Sequence, residues 1–140
     1  MYYCETELKH IKQIYFLLLF SLIMIPDCKD SVTAGQVDTI VIPSSNVSYI
    51  KYIQPVFTTK CINCHNDQVS DGNLSLTSWA GTTLDRSIVF PGSPQTSRLV
   101  WSIQAQSGAS PMPPPGSAPP LNTNQINGVI TWIKEGAKNN

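Results

Sequence analysis

The 140-residue chain has little charge. Nine basic and nine acidic residues make up 13% of it and cancel. With no basic patch and no acidic tail, it lacks the electrostatic footprint of a nucleic-acid binder. Histidine (two) and methionine (three) are scarce. The four cysteines fall into a scattered pair, Cys4 and Cys28, and a tight pair, Cys61 and Cys64, unlike the more even spacing of a disulfide framework. A membrane-length apolar run is also missing. Residues 14–25 are apolar except for Ser21, but a spanning helix needs about 20 residues. What is plentiful is proline (eleven) and glycine (eight), the composition of one loop-rich domain with short elements.

The short apolar run suits the core of a signal peptide, with Lys9 and Lys12 before it. Glu5 and Glu7 are atypical of that position. Cys28 follows the run closely, as a lipidation site does in bacterial lipoproteins, although Pro26 and Asp27 stand where small residues are usual. A cut after Val32-Thr33-Ala34 and an uncleaved anchor are the alternatives. All three put the domain outside the cytoplasm. We therefore expect a leader over 1–27, lipidation at Cys28, a segment 28–47 that is either a tether or an edge strand, and a domain over 48–140. Cleavage before Cys28 removes Met1, Met24, His10 and Cys4, so His65 and Met112 become the only residues of their types.

Cys61-Ile62-Asn63-Cys64-His65 is the attachment signature of a c-type haem. Two thiols at this spacing reach the two vinyl groups of one porphyrin edge, and the adjacent histidine reaches the iron. The competing uses of C-x-x-C are less well served. A thioredoxin-like site expects a βαβ pattern, which is missing. Structural zinc takes four ligands, and the domain has no Cys or His beyond these three. A second axial ligand is needed, and thioether sulfur binds haem iron and raises its potential. Met112 is the natural candidate, in the proline-stiffened loop 107–120. A carbonyl near Pro91 is the expected partner for the other ring nitrogen of His65.

Around the motif, Tyr49, Ile53, Val56 and Phe57 can share one apolar face, and Pro55 suits a first helical turn. A helix is expected from near Gln54 into the motif. Leu74-Ser75-Leu76 alternates like a short strand, and residues 77–80 read as one helical turn ended by Gly81, with Trp79 most simply in the core. Ser93-Pro94 marks a helix start, with Leu99, Val100 and Ile103 at helical spacing. Asn122 and Gln125 form a capping box for a terminal helix, with Leu121 and Ile126 as its staple. Ile126, Val129, Ile130 and Ile133 are its expected buried face, and Gly136 its end.

Several of these segments resemble the planctomycete-type cytochrome c domain, a branch of class I cytochromes c. They are Ile53-Gln54-Pro55-Val56-Phe57, the haem motif, Gly72-x-Leu74-x-Leu76, the run from Val89-Phe90-Pro91-Gly92 to Leu99, Met112-Pro113-Pro114, and Trp132-Ile133-x-x-Gly136-Ala137. The family often has glycine where this chain has Asn66. The resemblance implies a small all-α haem domain with one covalent haem c on Cys61 and Cys64, and His65 and Met112 as axial ligands. It is preceded here by the leader and carries a long proline-rich loop.

The expected function is single-electron transfer between exported or membrane-bound redox proteins, through transient docking and without substrate chemistry. A haem-based small-ligand sensor, or a structural haem module of a larger complex, is the alternative. The expected location is the periplasm or cell envelope, with a lipid anchor.

Overall fold

A computed structural model describes residues 33–140. The leader and Cys28 lie outside the described residues. The described part is helical. No β-strand occurs among these residues, only an isolated bridge between His65 and Ser70. No helix among them is long and apolar enough to cross a membrane.

The terminal helix, which we label α5 (Thr123–Lys134), is the central support. Both halves of its capping box are present. The Gln125 amide donates to Asn122 Oδ1 and the Asn122 amide donates to Gln125 Oε1, each at 2.9 Å. Its other end closes in a Schellman turn. The Gly136 amide donates to the Ile133 carbonyl and the Ala137 amide to that of Trp132, with Gly136 at φ +101°. The buried face is rotated from the expected one. Gln125, Gly128, Val129, Trp132 and Ile133 are buried, while Ile126 and Ile130 are only partly so. The rotation brings Trp132 inward, where its ring meets Tyr49 (centroids 5.3 Å apart) and Phe57 (6.5 Å, edge-on). Its indole N–H donates to the Lys138 carbonyl at 2.9 Å, so burial leaves no orphan donor.

Tyr49 and Phe57 come from the helix leading to the haem motif. It opens earlier than expected, as a π-helical turn (Tyr49–Ile53) capped by Ser48, and continues as α2 (Gln54–Lys60). Tyr49, Ile53, Val56 and Phe57 are all buried, as their spacing predicts. α2 stops at Lys60, so the cysteines lie in the turns that follow and not on the helix.

Residues 33–47 depart from both readings as tether and as edge strand. Ala34–Thr39 form a short helix, α1, with its own Thr33/Gln36 capping box. An extended strap then runs along α5, burying Ile42 and Val47. Side chains of α5 and its end satisfy the strap's backbone. Asn124 accepts from the Ile42 amide (2.8 Å) and donates to its carbonyl (3.1 Å), and the Glu135 carboxylate accepts from the amides of Asn46 and Val47.

The remaining elements are short. Leu74-Ser75-Leu76 is not a strand, although Leu74 and Leu76 are buried. Ser78 caps α3 (Trp79–Thr82), which includes Gly81 instead of ending before it. Trp79 is half-buried, and its N–H donates to the Ala137 carbonyl at 2.7 Å. Ser93 starts only a 3₁₀ turn (Pro94–Thr96); α4 (Arg98–Ile103) begins separately after Ser97. Its Leu99, Val100 and Ile103 are buried as expected.

Candidate functional site

The turns after α2 hold the motif by its backbone. The Cys61 and Ile62 amides both donate to the Phe57 carbonyl, and those of Cys64 and His65 to the Cys61 carbonyl. The chain then curls back on the motif. The Asp71 amide reaches the Cys64 carbonyl (3.1 Å) and the Leu76 amide reaches the His65 carbonyl (2.8 Å). Asn66, next to the motif histidine, has a local task. Its side-chain oxygen accepts from the Gln68 and Val69 amides, and its Nδ2 donates to the Ile62 carbonyl.

The Met112 amide donates to the Ser102 carbonyl at 3.0 Å, tying the proline-rich loop to the last turn of α4. Cys61, His65 and Met112 thereby line one hollow of about 170 Å³. Its apolar wall is Leu74, Leu76, Ile88, Leu99 and Ile103, and Arg98 and Ser102 stand among them. An adjoining hollow of about 90 Å³ shares Cys61, His65, Asp71 and Met112 and adds Cys64 with Pro113 and Pro114. The four predicted site residues of the domain thus lie on two connected hollows. Sequence reading missed Ile88, Asp71, Arg98 and Ser102 as site residues. The runs Gly72-x-Leu74-x-Leu76 and Val89 to Leu99, with Ile103 at helical spacing, hinted at the rest of the apolar wall.

The chemistry of the donor set fits haem. His65 Nδ1 is the one buried side-chain nitrogen or oxygen among the described residues without a hydrogen-bond partner. An orphan of this kind calls for an explanation such as a ligand or ion. The carbonyl expected from near Pro91 does not reach this nitrogen. Cys61 and Cys64 are free thiols. Burial, the largest influence, pushes the Cys61 thiol up to about 12, although the Lys60 cation pulls the other way. At neutral pH it is a neutral thiol, poorly suited to thiolate exchange. No three His, Cys, Asp or Glu side chains converge as a metal site among the described residues, so a four-ligand zinc centre lacks its ligands there. His65 and Met112 would hold haem iron, and Cys61 and Cys64 would bond its edge; the group would supply one-electron iron chemistry.

Residues 61–116 match the family model described as Planctomycete cytochrome C. No curated protein and no solved structure matches. The matched segment begins at the first motif cysteine and runs past Met112, so it contains all four candidate haem residues and the whole apolar wall. Residues 61–116 are thus similar to a planctomycete-type cytochrome c domain, and this similarity supports a haem-based redox role.

Proposed function

We propose that this domain is a mono-haem electron carrier, passing single electrons between exported or membrane-bound redox proteins. The observation that carries the reading is the pairing of His65 with Met112 on one apolar hollow whose wall includes Cys61. His65 and Met112 together would hold the iron and leave no place on it for a substrate, and a thioether ligand would suit a carrier by raising the potential. The apolar wall would limit water around a bound iron and so help set its potential. Near-zero net charge gives docking little long-range steering, so partners meet it through weak, short-lived contacts.

The domain type belongs outside the cytoplasm, and we further propose that Cys28 carries a lipid holding it at the envelope.

The test is an absorption spectrum of the full chain expressed with haem-maturation machinery, together with its intact mass. A carrier gives a mass increase of one haem and a low-spin spectrum with a weak far-red sulfur-to-iron band. A high-spin oxidised form, or immediate carbon monoxide binding by the reduced protein, would instead select a small-ligand sensor.

A further inference from the structure

Lys60 directly precedes the first haem-attachment cysteine, yet its side chain is only 2% exposed. Its Nζ lies 2.7 Å from Asp38 Oδ1, on α1, and donates to the Pro120 carbonyl at 3.2 Å. Pro120 closes the loop that carries Met112. Asp38 Oδ1 also accepts from Gln125 Nε2 of α5 at 3.0 Å, and Gln125 is itself buried. One buried cation therefore touches two pieces of chain that have no sequence proximity to it. Burying an ammonium is costly unless it is paired and its donors are used, and an apolar side chain would fill that space at less cost.

We propose that Lys60 is a positioning residue for the Met112 loop. Its bond to Pro120 fixes the loop's far end, as the Met112–Ser102 bond fixes its middle. Asp38 keeps the cation in place, so docking of α1 controls how firmly the loop presents the thioether. The functional weight of this node rests on Met112 being the second iron ligand.

The experiment is amide hydrogen exchange on the haem-loaded protein, comparing wild type with Lys60→Met, Lys60→Arg and Asp38→Asn. Lys60→Met should speed exchange at Met112 and Ser117 roughly tenfold, the scale of losing a charge-assisted hydrogen bond, while amides in α3 stay unchanged. Lys60→Arg, which keeps charge and donors, should restore protection. Asp38→Asn keeps a side-chain acceptor and is the variant best placed to fold; although Asp38 does not bond the loop, it should speed the same loop amides because it strands the lysine. Imidazole should also bind the oxidised Lys60→Met protein about tenfold more tightly, by the same estimate. Unchanged loop amides in Lys60→Met and Asp38→Asn, or acceleration spread evenly through the domain, would overturn the proposal. A wild type without the sulfur-to-iron band would defeat Met112 as ligand, and the exchange pattern would still judge the node.

Discussion

The Met112 amide donates to the Ser102 carbonyl at 3.0 Å, and both residues line the hollow that also holds His65. The bond uses backbone atoms, so it survives replacement of the side chain. Met112→Ala should keep the loop in place and remove only the sulfur. Expected results are an unchanged haem mass increment, loss of the far-red band, carbon monoxide binding by the reduced form, and a lower reduction potential. A retained far-red band would show that the sulfur comes from elsewhere.

Haem would fill the hollow lined by Leu74, Leu76, Ile88, Leu99 and Ile103. A domain this small gains much of its stability from such a group. Cys61→Ala/Cys64→Ala should therefore lose covalent haem and much of its helical circular dichroism. Full helicity in the haem-free variant would mean that the protein core suffices alone.

Gly128 lies where α5 meets the strap. A Cβ there would stand 2.7 Å from Ile42 Cγ2 and 2.8 Å from its Cδ1. Alanine gains about 1 kcal/mol in helix propensity, but overpacking costs about 1–3 kcal/mol. The clash should win, leaving Gly128→Ala about 1 kcal/mol less stable in denaturant unfolding. Ile42→Val removes Cδ1, so the double variant should recover part of that loss. Simple additivity of the two changes would place the strain elsewhere.

Glu135 accepts from the Asn46 and Val47 amides at 2.6 and 2.9 Å. Glu135→Ala leaves the part-buried Val47 donor without its acceptor, a loss of about 1–3 kcal/mol. Exchange should accelerate first at residues 46 and 47. Equal protection in variant and wild type would show that the carboxylate does not hold the strap.

Hydrogen bonds from Lys60, then from Gln125, hold the Asp38 carboxyl below its ordinary value. The ionised form therefore favours the folded state. The stability it contributes is fully present above its unfolded value, about pH 4, and is lost as pH falls through the lower folded value. Acid should loosen α1 in that window, as followed by exchange of the α1 amides, and Asp38→Asn should flatten the dependence. Since Asp38 is 41% exposed, the effect is small. An unchanged acid profile in Asp38→Asn would assign the loss to other carboxylates.

The elements that were legible in the sequence are those whose signals are local. The capping box of α5 involves residues three apart, and the apolar face of Tyr49, Ile53, Val56 and Phe57 repeats at helical spacing. The strap was not legible. Its hydrogen-bond partners Asn124 and Glu135 are more than eighty residues away, and an extended segment capped by distant side chains has no periodicity to detect. The rotated face of α5 has a related cause. Hydrophobicity favoured Ile126 and Ile130, but the core accepted Trp132 because aromatic partners and a carbonyl for its N–H were waiting there.

By itself the sequence pointed to haem chemistry. The spacing of Cys61, Cys64 and His65 is a covalent constraint that no packing can alter, and the scarcity of methionine singled out Met112. Tertiary structure decided which surfaces meet at that chemistry. It folded the loop so that Met112 shares a hollow with His65 and walled the hollow with residues from three separated stretches. It also set Lys60 between α1 and the loop's end. These depend on contacts between residues far apart in the chain, whose free energy exists only once the core has closed.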